Sequence, residues 1–307
     1  MTRFLEILDP GLLTTVQDHG RLAYLHMGIP ESGCMDRRAF RSANHLLGNP
    51  LGAPVLEMLY KGITARFTED TRFVLTGGDM QAKLNGQPVA TYQPLLARAG
   101  DVLTLSTCVT GRYGYLAMEG GFSVPSVLGS CSTYLKCGLG GFEGRALKAG
   151  DRVEIGGDSS SPALSASSPA SSHALASGDF DTAPPAYLTL KEKTIRVILG
   201  PQEHCFTRAG IRTFLSTPYT VSAASDRMGY RLEGTAIETK AGSDILSDGT
   251  VFGSIQVPSS GLPIALLADR QTTGGYAKIA TVLSADLPAL VQSMPGTVVR
   301  FRQAFRQ

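Results

Sequence analysis

Short β-prone runs separated by glycine turns dominate this sequence, most regularly over residues 55–155. Asn85 and Gly86 lie between two such runs, and they are a strong hairpin signal because a type I′ turn needs positive φ at both central positions. Gly100 and Gly150 each precede an aspartate and a new apolar run, so each predicts a turn that leads into a strand. Short strands at this spacing, with little helical periodicity, predict a β-barrel or a β-sandwich.

Helical periodicity is confined to a few short segments. In the clearest one, Asp36 precedes apolar residues at helical spacing, and Gly48 and Pro50 follow the last of them. Aspartate accepts hydrogen bonds from the first turn of a helix, and glycine readily adopts the left-handed conformation that ends one. Weaker patterns predict helices over residues 202–214 and 285–293. The chain is therefore predicted to be mainly β, with a few short helices.

The 307-residue chain is long enough for two domains that each bury a core. Its composition changes at residues 156–186, which are mostly Ser, Ala, Pro, Gly and Asp. Such a segment cannot bury enough apolar surface to offset the entropy that it would lose on ordering. We therefore predict a linker or mobile loop over residues 156–186, between an N-terminal β domain at 1–155 and a C-terminal β domain at 187–307.

Composition and charge exclude several classes of protein. The net charge is only +2 and no basic run occurs, which argues against a dedicated nucleic-acid surface. No apolar window approaches the length of a membrane span, and the first residues lack the apolar core of a signal peptide. These features predict a cytoplasmic protein without nucleic-acid or membrane partners.

The five cysteines are irregularly spaced and form no Cys-x-x-Cys pair. In a reducing compartment this pattern predicts free thiols, mostly buried, and no metal site. The common catalytic signatures are absent as well, including the phosphate-binding loop, the dinucleotide fingerprint, Gly-x-Ser-x-Gly and His-Glu-x-x-His. Any chemistry must therefore come from residues outside those patterns.

Three groups of polar side chains stand out near the ends of predicted strands. They are Gln17, Asp18 and Arg21; then Asp226, Arg227 and Arg231; then Gln256, Asp269, Arg270, Gln271 and Thr272, with Tyr276 beyond two glycines. An arginine can bind a carboxylate or phosphate through two parallel hydrogen bonds, and a nearby aspartate can orient it. Such pairs can also serve only to tie strands or organise a turn. Both interpretations are open for each group, and together the groups are predicted to line one ligand-binding groove.

Several blocks of this chain resemble one protein family in the same order. They are residues 10–21 (Pro-Gly-Leu-Leu-Thr-Thr-Val-Gln-Asp-His-Gly-Arg), 28–36, 43–50, 225–232 (Ser-Asp-Arg-Met-Gly-Tyr-Arg-Leu) and 245–276. The family contains the C subunit of bacterial ATP-dependent 5-oxoprolinase. It also contains the second half of the carboxyltransferase domain of urea carboxylase, known too as the second component of allophanate hydrolase, and the antagonist of a histidine-kinase inhibitor. The resemblance implies two cyclophilin-like β-barrel domains in tandem.

The resemblance to the 5-oxoprolinase C subunit implies one part of a hydrolase that opens a cyclic amide, 5-oxoproline, to L-glutamate with hydrolysis of ATP. It implies ATP with Mg in the assembled complex. It also implies two partners: a homologue of the B subunit, in a heterodimer or heterotetramer, and a hydrolase-like A subunit. Charge on a phosphorylated lactam would need cationic and backbone donors. Asp226, Arg227 and Arg270 are then expected to be catalytic. The expected substrate-binding residues are Gln17, Asp18, Arg21, Arg231, Gln256, Asp269, Gln271, Thr272 and Tyr276.

Two other members of the family imply different roles for the same chain. A carboxyltransferase half would accept a carboxyl group from biotin, carried on another polypeptide, and pass it to urea or a similar amide. An antagonist would bind a kinase-inhibitor partner without turnover. The sequence leaves both alternatives open.

Overall fold

A computed structural model describes residues 2–156, 180–240 and 244–304. The chain forms two compact units: the first comprises Met1–Arg21 and Ser32–Leu188, and the second comprises Leu22–Glu31 and Thr189–Gln307. No sequence pattern predicted that Leu22–Glu31 would belong with the second unit.

The first unit is built from two sheets of antiparallel strands. Its strands are β1 (Arg3–Asp9), β2 (Leu13–Gln17), β3 (Val55–Leu59), β4 (Thr64–Phe67), β5 (Thr71–Asp79), β6 (Lys83–Leu84), β7 (Gln87–Pro88), β8 (Leu95–Ala97), β9 (Val102–Thr104), β10 (Thr110–Met118) and β11 (Arg152–Ile155). One sheet has the order β11-β1-β4-β9-β6-β7 and the other β2-β3-β10-β5-β8. Alternate residues of a strand point to opposite faces, so each sheet presents an apolar face. Leu5 and Ile7 from the first sheet and Val16, Leu56 and Phe73 from the second are fully buried in one shared core.

The helix predicted after Asp36 is present as α1 (Arg37–Leu47). The Asp36 carboxylate accepts hydrogen bonds from the first-turn amides, including that of Ala39 at 2.9 Å. Gly48 ends the helix with φ of 71°. Thr76 of β5 donates a 2.8 Å hydrogen bond from its hydroxyl to the Ala39 carbonyl, which fixes the helix against the sheet.

The predicted glycine turns of the first unit are also present. Asn85 and Gly86 have φ of 51° and 78° and connect β6 to β7. Gly100 and Gly150 have nearly the same φ, 90° and 91°, and each precedes an aspartate that leads into β9 or β11. Each of these aspartates accepts a 2.7 Å hydrogen bond from the amide three residues earlier. The same local turn therefore starts both strands.

The second unit contains a closed barrel. Its elements are β12 (Glu192–Leu199), α2 (Arg208–Ser216), β13 (Tyr219–Val221), β14 (Gly229–Gly234), β15 (Asp244–Gly249), β16 (Ser254–Gln256), β17 (Ile264–Leu266), β18 (Thr273–Tyr276), β19 (Lys278–Val282), α3 (Leu287–Val291) and β20 (Val298–Gln303). Seven strands close in the order β12-β19-β16-β17-β14-β13-β20, with β12 and β20 parallel. Phe214 of α2 stacks on Phe301 of β20 at 4.6 Å between ring centroids, and Tyr219 packs beside both. Strands β15 and β18 form a separate two-stranded sheet, which we call the ribbon.

The predicted fold class is confirmed: the chain is mainly β, has few helices and contains a β-barrel. In residues 2–156, 180–240 and 244–304, the three α-helices are accompanied by single-turn 3₁₀ helices at Leu25–Met27, Leu135–Cys137, Ala186–Leu188 and Glu203–Cys205. Within the described residues, no helix has both the length and the apolar character needed to cross a membrane.

Two sequence patterns in the second unit do not have the structure that is typical of them. The composition of residues 251–257 is typical of a strand, but only the last part of this run is β16, because the chain turns at Gly253 with φ of 92°. Ser-Asp-Gly at 247–249 and the Gly274–Gly275 pair are typical of turns, yet they lie within β15 and β18. A Cβ at Gly274 would collide with the Gln256 side chain. The glycine there allows close approach of two chain segments rather than a turn.

Most of the predicted linker at residues 156–186 lies outside the described residues. Its described end belongs to the first unit. Phe180 stacks on His45 of α1 with ring centroids 4.2 Å apart, and Asp181 forms a 2.7 Å ion pair with Arg38. Residues 180–188 therefore continue the first unit, while the predicted domain boundaries as a whole stay a prediction.

Thiol reactivity should follow burial. The cysteines are free thiols, as predicted; Cys34, Cys108 and Cys131 are buried, whereas Cys137 is exposed. Burial, with a smaller contribution from Asp79, raises the pKa of the Cys108 thiol to about 12. Because the thiolate is the reactive form, we expect an alkylating reagent at pH 8 to modify Cys137 rapidly and Cys108 only after unfolding. Peptide mass spectrometry over a time course checks this order, and equal rates at the two thiols would contradict it.

Candidate functional site

A buried ion pair joins two of the predicted groups in the second unit. Arg227 donates to Asp269 through Nε, at 2.8 Å to Oδ2, and through Nη2, at 3.1 Å to Oδ1. The backbone amide of Asp269 also donates to the Arg227 carbonyl at 2.9 Å. Both side chains are buried, so Asp269 holds the guanidinium in one fixed orientation.

Arg270 points into the second unit rather than to its surface. Its side chain is 1% exposed, and its guanidinium lies 3.3 Å from a carboxylate oxygen of Glu31. It also donates to the carbonyl oxygens of Thr250 and Leu267, each at 3.4 Å. Arg270 therefore contributes positive charge from below the surface, and Glu31 and Thr250 hold it there.

Residues 248–250, at the end of β15, connect most of the third group. The Thr250 hydroxyl donates to the Gln271 carbonyl at 2.5 Å, and the Thr250 amide donates to the Thr272 carbonyl at 3.1 Å. The Thr250 carbonyl accepts from Arg270. A single turn of chain thus positions Arg270, Gln271 and Thr272.

Gln256 lies beneath the ribbon and contacts the chain at both ends of β18. Its Oε1 accepts from Gln271 Nε2 at 3.2 Å, and its Nε2 donates to the Tyr276 carbonyl at 3.2 Å. Gln256 is buried, whereas Gln271 and Thr272 are half-buried and Tyr276 is 41% exposed. The partly exposed residues next to Gln256 therefore carry an amide, a hydroxyl and a phenol.

Sequence reasoning missed the remaining cation of this region. Lys278 donates through Nζ to Asp248 Oδ2 at 2.5 Å and to the Gly249 carbonyl at 2.6 Å. Gln202 donates to the same Asp248 carboxylate at 3.0 Å. The hydrogen bond from Lys278, and then that from Gln202, lowers the pKa of Asp248. The available signal was a lysine in the otherwise apolar run over residues 277–280.

We call this arrangement the ribbon cluster. It consists of Asp248, Thr250, Gln256, Asp269, Arg270, Gln271, Thr272, Tyr276 and Lys278, together with Arg227. Chemically it combines buried cations, each paired with a carboxylate, with half-exposed residues that carry amide and hydroxyl groups. Such a surface can hydrogen-bond a polar amide and stabilise developing negative charge.

Two predicted residues lie apart from these contacts. Asp226 is exposed, and its carboxylate accepts from the amides of Met228 and Gly229 at 2.8 and 3.2 Å, which organises the turn before β14. Arg231 is exposed on β14, and its guanidinium makes no hydrogen bond or ion pair with any residue in the described ranges. The geometry thus gives Asp269, rather than Asp226, the role of orienting Arg227.

In the first unit, Asp18 connects the end of β2 to the loop around residue 131 through hydrogen bonds. Its carboxylate accepts hydrogen bonds from the Gly20 amide at 2.8 Å, the Ser130 hydroxyl at 2.6 Å and the Cys131 amide at 2.6 Å. The Ser132 hydroxyl donates to it as well. Asp18 is buried, so these contacts account for it as a structural residue.

Gln17 and Arg21 bind the same loop. Gln17 Nε2 donates to the Thr133 carbonyl at 3.1 Å, and Arg21 donates to the Ser132 carbonyl. Both side chains are buried. A Cβ at Gly140 would collide with the Arg21 guanidinium, so the loop needs glycine there. These contacts hold the first unit together, and the predicted groove shared by all three groups stays a prediction.

A buried carboxylate in the first unit also escaped the sequence reasoning. Glu57 of β3 accepts from the Met35 amide at 2.7 Å and from the Tyr115 hydroxyl at 2.8 Å. Burial, with the nearby Glu57, raises the pKa of Tyr115 well above its usual value. A glutamate within an apolar strand was the available signal.

Comparison with known proteins agrees with this architecture. The family model described as carboxyltransferase domain, subdomain A and B, matches residues 27–303. The chain is 39% identical to the 5-oxoprolinase C subunit of Haemophilus influenzae, over 97% of this chain and 90% of that protein. It is 40% identical to the Escherichia coli protein of the same name, over 97% and 91% of the two chains.

A solved structure shows the same fold within a much longer protein. The crystal structure of K. lactis urea amidolyase matches with a TM-score of 0.85 and 31% identity over 97% of this chain, which spans 18% of that protein. The fold, the family match and the relatives that align along nearly all of this chain agree, and the chain belongs to the family of carboxyltransferase domains with subdomains A and B.

Proposed function

We propose that the protein is the C subunit of an ATP-dependent 5-oxoprolinase complex, which opens 5-oxoproline to L-glutamate with hydrolysis of ATP. The observation that carries this proposal is the 39% and 40% identity to two proteins that bear the name of the 5-oxoprolinase C subunit, over nine-tenths of their length. One component of a complex requires partners, and we propose a homologue of the B subunit, in a heterodimer or heterotetramer, and a hydrolase-like A subunit. A cytoplasmic location, consistent with the free thiols, is part of the same proposal.

The ribbon cluster suits a small cyclic amide. A lactam offers one N–H donor and one carbonyl acceptor, and Gln271 carries the complementary pair on a half-exposed side chain. When the lactam oxygen attacks the terminal phosphorus of ATP, ADP leaves and the ring carbon becomes electrophilic toward water. Addition of water, release of phosphate and cleavage of the ring C–N bond then give glutamate. Positive charge from Arg270 and Lys278 would stabilise the phosphorylated species.

ATP is assigned to the assembled complex rather than to this chain alone. The sequence has no phosphate-binding loop of the Gly-x-x-x-x-Gly-Lys-Ser/Thr pattern. Mg would accompany ATP on the component that binds the phosphates. The role proposed for this chain is therefore to bind and orient the lactam.

The test is glutamate formation by the co-expressed subunits. The complete complex should convert 5-oxoproline to glutamate only when ATP is present, and the same preparation without this chain should not. Chromatographic quantification of glutamate, with ATP or each component omitted in turn, gives the comparison. The proposal would be wrong if the complete complex did not convert 5-oxoproline, or if glutamate formed at the same rate without this chain.

The urea amidolyase structure favours a second candidate. Its TM-score of 0.85 to this chain supports a carboxyltransferase half that passes a carboxyl group from biotin to urea or another amide. The co-expressed complex would then incorporate labelled bicarbonate into urea only when a biotinylated carrier is supplied. A stable complex with neither lactam nor urea turnover would instead support the antagonist role, in which this chain binds a kinase-inhibitor partner.

A further inference from the structure

Lys278 is the cross-strand partner of Gln256 in the second unit. Directly opposed residues in an antiparallel pair have Cβ atoms about 5 Å apart on the same face. The register of β16 and β19 shifts at this point, so the strands carry a bulge next to the pair. Bulges commonly redirect side chains beside functional sites. The ammonium of Lys278 and the amide pair of Gln256 and Gln271 thus belong to one small region.

The ammonium is buried, but the carboxylate that balances it is not. The Lys278 side chain is 6% exposed and that of Asp248 is 51% exposed. An ammonium has three N–H donors, and Asp248 and the Gly249 carbonyl accept two of them. Among the residues that the structure describes, none accepts a third hydrogen bond from this ammonium. One donor of a buried cation therefore remains for a ligand, and the competing carboxylate sits on a half-exposed ribbon residue.

We propose that Lys278 binds an oxyanion of the substrate, a carboxylate or a phosphate group, beside the Gln256–Gln271 amide pair. This inference rests on the proposed function and extends it to one residue. The carboxylate of 5-oxoproline is attached to the carbon next to the lactam nitrogen, so a lactam held by Gln271 carries an anion close to its ring. The phosphate formed on the lactam oxygen is the other source of the same chemistry. In the free protein, the Asp248 carboxylate accepts a hydrogen bond from the Lys278 ammonium. When the ligand binds, Asp248 turns toward solvent and the ligand takes its place.

The first test uses the complete complex with Lys278→Met. Rates are measured with 5-oxoproline and with 2-pyrrolidinone, the same lactam without the carboxylate. If Lys278 holds the carboxylate, the variant raises KM for 5-oxoproline roughly 10- to 100-fold and leaves 2-pyrrolidinone unchanged, as loss of a charge-assisted hydrogen bond implies. If Lys278 holds the phosphate, kcat falls by a similar factor with both lactams. Unchanged kcat and KM with both lactams would overturn the proposal.

Lys193→Met is the matched control. Lys193 is a second buried lysine of the same barrel, and its Nζ donates to the Ala289 carbonyl at 2.9 Å. Its loss should change the melting temperature without changing the preference for 5-oxoproline over 2-pyrrolidinone. Equal kinetic effects of Lys193→Met and Lys278→Met would assign both lysines to structure alone and overturn the inference.

Asp248→Asn separates ligand binding from a role in holding the ribbon, because it removes the charge of the competing carboxylate and keeps an oxygen acceptor for Lys278. Removing the competing carboxylate charge should lower KM for 5-oxoproline several-fold, because the anionic ligand then has no anionic competitor for the ammonium. If Lys278 only held the ribbon in place, Asp248→Asn would lower the stability of the protein and would not lower KM for 5-oxoproline.

A binding measurement keeps this inference distinct from the proposed function. The full chain alone is titrated with inorganic phosphate and with 5-oxoproline by calorimetry, as wild type and as Lys278→Met. Binding of either probe that the variant loses supports Lys278 even if the complex proves inactive on lactams. If the wild-type complex is active but Lys278→Met does not change the binding of either probe, this inference is overturned and the proposed function still stands.

Discussion

Replacing Arg227 by methionine should destabilise the protein by about 3–5 kcal/mol, the range measured when one partner of a buried ion pair is removed. The Asp269 carboxylate would lose both guanidinium hydrogen bonds, at 2.8 and 3.1 Å, and remain buried as an uncompensated charge. Urea denaturation followed by circular dichroism measures the loss.

The control for Arg227 is the pair formed by Arg196 and Asp286. It is also bidentate, with distances of 2.9 and 2.7 Å, but the Arg196 side chain is 52% exposed. Arg196→Met should therefore cost far less, because water replaces the lost contacts. The double variant Arg227→Met/Asp269→Leu should recover much of the loss, since it removes both buried charges. Equal losses for Arg227→Met and Arg196→Met would show that burial does not govern this pair.

Replacing Asp18 by alanine should destabilise the first unit by about 4 kcal/mol, because it leaves buried hydrogen-bond donors without an acceptor. The substitution leaves buried donors from Gly20, Ser130, Cys131 and Ser132 without their acceptor, and each buried unsatisfied donor costs about 1–3 kcal/mol, reduced where a hydroxyl can rotate to a new partner. Thermal unfolding and native-state hydrogen exchange at the Cys131 amide measure the effect.

Asp9 provides the matched control for Asp18. Its carboxylate accepts the Gly11 amide at 2.9 Å, as Asp18 accepts the Gly20 amide, but its other contact is an exposed pair with Lys61. Asp9→Ala should therefore cost only a small fraction of the Asp18 effect. Similar losses for the two variants would mean that the loop around Cys131 does not depend on the Asp18 carboxylate.

Helix ends and hairpin turns were predictable from the sequence because the interactions that form them involve residues close together in the chain. The Asp36 cap, the Gly48 stop and the Asn85–Gly86 hairpin depend on a few neighbouring residues, and each was found as expected. Gly274 shows the limit of this reasoning. A glycine can mark a turn or a close approach, and only the position of Gln256 decides between them.

The composition of the ribbon cluster was only partly predictable. Gln256, Gln271 and the Asp–Arg pairs stand out as polar groups beside strands, but their partners are distant in sequence. Glu31 and Arg270 are in contact although 239 positions separate them in the sequence, and no local sequence pattern predicts that contact. Which aspartate orients Arg227 was equally open in the sequence, because Asp226 adjoins it and Asp269 does not. The structure distinguishes them, because the Asp226 carboxylate accepts hydrogen bonds from backbone amides in the turn that begins at this residue.

The most direct test of the account is ATP hydrolysis by the assembled complex, with and without 5-oxoproline. Wild type should show lactam-stimulated turnover, and Gln271→Leu should reduce the stimulation about tenfold, as loss of hydrogen bonds to the lactam implies. Gln303→Leu, at an exposed glutamine on β20 of the same barrel, should behave as wild type. A wild-type complex without stimulation, or a Gln271→Leu complex with full stimulation, would contradict the assignment of lactam binding to the ribbon cluster.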